Sequence, residues 1–148
     1  MRITKQFAIM SINKPGVLAN IAKSLAEKKV NIIAMIISDA VELGVLRIVV
    51  DKVDVARPVL TRLFSDVTET DVLLVDMPNR PGTLADVAEK LGQAHININY
   101  AYATTGAMGG QTTVILKVQY PEKAIEVLKE ITRKTEGRPL VRQGYSKR

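Results

Sequence analysis

Apolar positions along the chain fall into two alternating kinds of block. From Gln6 to Ile12 the residues are mostly apolar, in a strand-like run. Leu18, Ile21, Ala22 and Leu25 then stand at i, i+3, i+4 and i+7, which is one face of a helix. Pro15 suits the first turn of that helix, where a missing N–H costs nothing. Asn31 to Ser38 is a β-branched apolar run and reads as a strand. A short polar turn joins it to a second such run, Leu43 to Asp51. Val55 to Phe64 returns to a helical pattern, with Pro58 tolerable only near its first turn. Val67 to Met77 is a long strand signal.

The same series then begins again. Asn13-Lys14-Pro15-Gly16-Val17-Leu18-Ala19 returns as Asn79-Arg80-Pro81-Gly82-Thr83-Leu84-Ala85, 66 positions later. Nine of the twenty residues from Asn13 to Ile32 are identical to their counterparts at that one offset. The second helical face is Leu84, Val87, Ala88 and Leu91. Past the glycine-rich stretch from Thr104 to Gly110 the offset becomes 68, an insertion of two residues at a turn. Leu46, Ile48 and Val50 then match Val114, Leu116 and Val118. The chain is two copies of one unit, divided as residues 1–68 and 69–148, with the long strand closing the first and opening the second. Strand, helix, strand, strand, helix, strand is the ferredoxin-like βαββαβ order. The expected fold class is α+β, two such units with antiparallel four-stranded sheets and helices on one face. Ile32 to Ile37 is apolar without interruption, so that strand needs cover on both faces. A unit of this size cannot supply both; the second cover must come from the other unit or from another chain. Unpaired strand edges also invite association, and a homodimer or larger even-numbered assembly is expected.

Composition narrows the chemistry. The 148 residues include no Cys and no Trp, and a single His, His95. A disulfide scaffold, a thiolate metal site and a cysteine nucleophile are excluded. No apolar run reaches the roughly 20 residues of a membrane span, and no signal peptide is visible, so a cytoplasmic protein without a membrane partner is expected. The net charge is +6. Nearly all of it lies from Lys129 to Arg148, where seven basic residues face two acidic ones. That tail lacks interleaved aromatics apart from Tyr145 and reads as solvated or partner-facing, so no nucleic-acid partner is expected.

No catalytic constellation is present, and no enzyme activity, cofactor or metal is expected. His95 reads as an exposed loop residue at the position of Lys29 in the first copy. Gly106, Gly109 and Gly110 lie between two strands, unlike a phosphate loop, and read as a hairpin turn. Asp66, Glu69, Asp71 and Asp76 read as a solvated strand edge. The feature with most chemical content is the Asn-Lys/Arg-Pro-Gly turn before each first helix. Glycine lets a ligand approach the backbone, and the free N–H groups of the first turn suit a carboxylate. Asn31 and Asn97, eighteen residues after Asn13 and Asn79, open the next strands and are expected to approach the turn asparagines of their own units. Their amides offer a donor and an acceptor to an amino acid; the other reading is that all four asparagines cap turns.

The unit resembles the ACT domain, a small-molecule-binding regulatory module of amino-acid metabolism. Asn13-Lys14-Pro15-Gly16-Val17-Leu18 with Val30-Asn31-Ile32 carries the resemblance, as does Asn79-Arg80-Pro81-Gly82-Thr83-Leu84 with Ile96-Asn97-Ile98. Two copies cover nearly the whole chain, as in stand-alone tandem ACT proteins. The resemblance implies an amino-acid ligand at unit interfaces, bound by Ser11, Asn13, Pro15, Gly16, Val17, Leu18, Asn31 and Ile32 in the first copy. In the second it implies Asn79, Pro81, Gly82, Thr83, Leu84, Asn97 and Ile98. Serine-sensing members carry a His two residues before the turn Asn; Ser11 and Met77 stand there in this chain, which counts against serine and makes the two sites unlike. The function so implied is an amino-acid sensor or regulatory protein. The alternatives are a ligand-free interaction module or regulatory subunit acting on a partner enzyme, and a transcriptional regulator resembling the repressors of glycine cleavage.

Overall fold

The computed structural model describes residues 1–12, 14–38, 43–106 and 110–135. Its elements are β1 (Arg2–Ile12), α1 (Val17–Glu27), β2 (Ile32–Ser38), β3 (Leu43–Val50), α2 (Val53–Leu63), β4 (Val67–Pro78), α3 (Thr83–Gln93), β5 (Ile98–Thr105), β6 (Gln111–Val118) and α4 (Pro121–Thr135). All strands join one antiparallel sheet in the order β2-β3-β1-β4-β6-β5. Two ferredoxin-like sheets are contained in it, β2-β3-β1-β4 and β1-β4-β6-β5. They share the central pair, in which Arg2 lies opposite Leu74 and Ile9 opposite Val67. The place beside β4 that a closing strand of the second unit would take is held by β1. The residues from 136 onward, where the expected closing strand of the second unit would fall, lie outside the described residues.

The helices pack on one face of the sheet. Phe7, Ile9, Leu46, Ile48 and Val50 meet Ile21 and Leu25 of α1 and Ala56, Val59 and Leu60 of α2. Leu73, Val75, Met77, Val114, Leu116 and Val118 meet Val87 and Leu91 of α3 and Ala124 and Leu128 of α4. Residues of alternate parity in the strands point to the other face, where Ala34, Val49, Val72, Leu74 and Ile115 form a third core with Ile33 and Tyr102 packed against it. β2 and β5 are the two margins of the hydrogen-bonded order, yet residues of the two come within 8 Å, Cα to Cα. The twist of the strands therefore rolls the sheet until its margins meet, with the helix-free face inside. The inner cover at the start of β2, over Ala34, thus comes from the other unit.

Several boundaries differ from the pattern for identifiable reasons. β1 begins at Arg2 because the polar residues before Gln6 pair with β4. Both first helices begin after glycine: Gly16 and Gly82 hold φ of 90° and 93°, so Pro15 and Pro81 stand in turns outside the helices. α2 begins at Val53, which puts Pro58 in its second turn, exposed to solvent where the carbonyl it leaves unbonded can be hydrated. β4 is a central strand, so its carboxylates do not line an edge. Asp71 instead pairs with Lys5 at 2.8 Å, Glu69 with Arg57, and Asp76 accepts from Thr113 Oγ1 at 2.6 Å.

α1 and α3 end alike. The N–H of Val30 bonds the carbonyl of Leu25, and that of Ile96 the carbonyl of Leu91. These are the long bonds of a Schellman cap, which puts the preceding residue in the left-handed region. That residue is Lys29 (φ 54°) in one copy and His95 (φ 55°) in the other, the exposed loop position foreseen for His95.

Candidate functional site

The two Asn-x-Pro-Gly turns each deliver an uncapped helix start. No side chain caps α1 or α3. The first helical bonds are Asn20 N–H to Gly16 O and Asp86 N–H to Gly82 O, both 2.9 Å. The N–H groups of Val17 and Thr83 reach back to Lys14 and Arg80 only at 3.4 Å. The main-chain donors of Leu18, Ala19, Leu84 and Ala85 precede the first helical bond and carry the positive end of the helix dipole. A Cβ on Gly16 or Gly82 would meet nothing within 4 Å, so the left-handed backbone requires the glycines, and space in front of them is open.

Around these donors the repeat places unlike side chains. Val17 packs against the first core, whereas Thr83 is buried and donates from Oγ1 to Arg80 O at 3.1 Å. Leu18 and Leu84, read from the pattern as core, are 39% and 53% exposed. The inward stripe runs instead through Val17, Ile21, Leu25 and Thr83, Val87, Leu91, four residues apart. Ile32 and Ile98 pack against the helix-face cores. Met77, the counterpart of Ser11 in the second copy, is a buried core residue. Ser11 continues β1 opposite Gly44. Asn13 lies outside the described residues, as does Gly109.

In the second unit, where both asparagines are described, their expected approach does not occur. Asn79 follows Pro78, opposite Gln111; Asn97 precedes Ile98, opposite Val118. The eight residues of β6 from Gln111 to Val118 span about 23 Å. A strand–helix–strand crossover makes its two strands parallel, so the end of one and the start of the next lie at opposite ends. Asn79 is engaged locally: its Nδ2 donates to Gly106 O at 3.1 Å and its N–H to Gly110 O at 2.8 Å, tying the turn to the β5–β6 hairpin. Asn31 exchanges main-chain bonds with Asp51, using Asp51 Oδ1 (2.8 Å) and Asp51 N–H (3.0 Å). The side chains of Asn31 and Asn97 are exposed.

A second constellation lies on the inner face, at the seam between the units. Gln6, 1% exposed, donates through Nε2 to the Tyr100 hydroxyl at 2.7 Å and accepts at Oε1 from the Tyr102 hydroxyl at 2.9 Å. Arg47 lies over the Tyr100 ring, 4.8 Å from its centroid, and donates to Ser38 Oγ at 3.1 Å. Burial, and then the neighbouring Tyr100, hold the Tyr102 hydroxyl well above the usual phenol range, with Arg47 opposing. The pattern of apolar positions misses this cluster, but a signal for it existed. Helix-face positions match between the copies, whereas Gln6, Ala34, Ile36 and Arg47 correspond to Val72, Tyr100, Tyr102 and Ile115.

Among the described residues no three His, Cys, Asp or Glu side chains group to hold a metal, and no helix is long and apolar enough to cross a membrane. Among curated proteins, none matches the sequence. Solved structures do. A protein from Bacteroides thetaiotaomicron is 33% identical with a TM-score of 0.79, the alignment covering 88% of this chain and 89% of that one. The ligand-free regulatory subunit of aspartate kinase from Thermus thermophilus has the same fold at 16% identity, with a TM-score of 0.64 over 87% of this chain and 94% of that one. The corresponding subunit from Thermus flavus gives 17% and 0.58, over 88% and 95%. Residues 1–136 match the ACT domain pair, and the chain belongs to that family.

Proposed function

We propose that the chain is a regulatory protein that binds an amino acid and has no catalytic role of its own. The observation that carries this reading is the pair of uncapped helix starts, each with two orphan N–H donors, an open glycine and an exposed leucine. Donors of that kind suit a carboxylate, and Leu18 or Leu84 supplies an apolar wall beside it. Pro15 and Pro81 fix the turns from which the helices start.

Asn31 and Asn97 enter the site from a second copy. Within one chain they are a sheet length from the helix start of their own unit, so an amide contact to the same ligand requires a homodimer. The first copy is the tighter site in this reading, because its sequence has the polar Ser11 where the second copy has a buried Met77. Proteins of this fold include regulatory subunits of aspartate kinase, and a separate partner enzyme is the second reading; its test is whether an enzyme's response to an amino acid requires this chain.

The primary test is a thermal-shift screen of the full chain against the twenty amino acids, since a ligand of the folded state raises the melting temperature by mass action. A hit is followed by amide shifts, expected at Leu18, Ala19, Leu84 and Ala85. Asn31→Ala and Asn97→Ala should weaken binding about five- to 150-fold, the equivalent of a buried hydrogen bond of about 1–3 kcal/mol, while light scattering still gives a dimer. Binding unchanged in both variants, or a monomer that binds fully, refutes the shared site.

A further inference from the structure

The inner face is not closed along its whole length. Its lower part is sealed: Ala34, Val49, Val72, Leu74 and Ile115 are all buried. Above Gln6 the same face continues through Ala8 and Met10 of β1, Val45 and Arg47 of β3, and Ile36 and Ser38 of β2. Ala8, Arg47 and Ile36 are aligned across the three strands, as are Met10, Val45 and Ser38. There Ala8, Val45, Ile36 and Arg47 are only half-buried, and Met10 is 46% exposed. β5 does not reach this end, because it begins opposite Val118 and runs the other way.

Arg47 is the singular group of this surface. The second copy has Ile115 at its position, fully buried. Half-burying a guanidinium costs free energy unless an anion meets it, and among the described residues no carboxylate does: its partners are the Ser38 hydroxyl and the Tyr100 ring. A guanidinium has five N–H donors in a rigid fork that matches a carboxylate, so one hydroxyl leaves most of that capacity unused. Tyr100 and Ser38, on opposite margins of the sheet, hold the guanidinium from two sides.

We propose that this end of the inner face is a binding site for a small carboxylate bearing a branched or aromatic apolar group. Arg47 meets the carboxylate, and Ala8, Met10, Val45 and Ile36 floor the apolar part. The floor spans two residues along the strands and two strand spacings across them, about 7 by 10 Å. That is the size of one such molecule. It is an order of magnitude below the roughly 800 Å² per partner that a stable protein interface needs, so a second copy is not its occupant. This site is separate from the helix starts, and it stands or falls without them.

The experiment is an amide-shift titration of the full chain with 3-methylbutanoate and with phenylacetate, using acetate and 3-methylbutanol as controls. Saturable shifts at Ala8, Ile36, Ser38 and Arg47 are expected with the two apolar acids, at least tenfold weaker with either control. Arg47→Gln should weaken binding at least tenfold. Met10→Glu, on an exposed position that folding tolerates, should do the same by placing a like charge on the floor. Shifts that survive both substitutions, an equal response to the alcohol, or no saturable response overturn the proposal. So does ligand-independent broadening of these amides that disappears on dilution, which would mean that a second copy covers the face. Amides of Leu18 and Leu84 report on the helix starts in the same spectra, so failure at one site is read separately from failure at the other.

Discussion

Replacing both seam tyrosines by phenylalanine should destabilise the protein, and a third substitution should reverse most of the loss. In Tyr100→Phe/Tyr102→Phe the amide of Gln6, 1% exposed, loses the acceptor of its N–H and the donor to its oxygen together. A buried polar group left without a partner costs about 1–3 kcal/mol. Two of them on one amide give about 2–6 kcal/mol, toward the lower end if a water enters beside the half-exposed rings. Gln6→Leu alone keeps the volume and strands two hydroxyls that are nearer solvent, so it should cost about 1–2 kcal/mol. Gln6→Leu/Tyr100→Phe/Tyr102→Phe removes the polar groups from all three positions, in a core of Val49, Val72, Leu74 and Ile115, and should lie within about 1 kcal/mol of the parent. Urea unfolding followed by far-UV circular dichroism measures all four proteins, with the slopes checked for a constant m. The losses should be strongly non-additive. If the triple variant's loss equals the sum of the others within about 0.5 kcal/mol, the three groups act independently and no clasp exists.

The helix ends supply a second prediction: Lys29→Gly and His95→Gly should each stabilise by about 0.5–1 kcal/mol in thermal melts, because glycine relieves the left-handed strain. Lys28→Gly, at the α1 C-cap with φ of −91°, should give no gain. The third prediction concerns alkaline stability. The folded protein holds the Tyr102 hydroxyl neutral to a pH above that at which the unfolded chain, near pH 10, ionises. Its contribution is therefore complete below pH 10 and is lost as the pH rises beyond it, and Tyr102→Phe should lessen the alkaline decline measured by urea titrations at pH 9 to 11. The fourth concerns the core: Leu91→Ala, at a fully buried position of α3, should cost about 2–5 kcal/mol by chemical denaturation.

Much of the fold was legible because the repeat was. Two copies of one pattern confirm each other: Leu46, Ile48 and Val50 face the helices for the same reason as Val114, Leu116 and Val118. What escaped the pattern depended on partners distant in sequence. Arg2 to Lys5 carry little apolar signal and become strand only because β4 pairs with them. Leu18 and Leu84 satisfy a helical period, yet the left-handed glycine shifts the start of the helix and turns Val17 and Thr83 inward in their stead. The helix-start part of the candidate site is legible as a local motif, in which Gly16 and Gly82 stand before uncapped helices with open space in front of them. The approach of Asn31 to its own turn was not a local property, and the parallel sense of the crossover excludes it.

The inner face shows why a repeat is also misleading. A duplicated unit that rolled onto an identical copy would meet like with like: small residues against small, or tyrosine against tyrosine. This chain avoids that. Its first copy has Ala34 and Ile36 where its second has Tyr100 and Tyr102, and Gln6 and Arg47 where the second has Val72 and Ile115. One half presents two tyrosines; the other presents the amide that pairs with both hydroxyls and the cation that lies over one ring. That fit is directional, so the first unit closes on the second in preference to the first unit of another chain. Departure from symmetry on one face, with symmetry kept on the other, separates what the fold requires from what the seam requires. The same departure left Arg47 at the mouth of the seam, over Tyr100 and without a carboxylate among the described residues, where an acid supplied from solution can reach it.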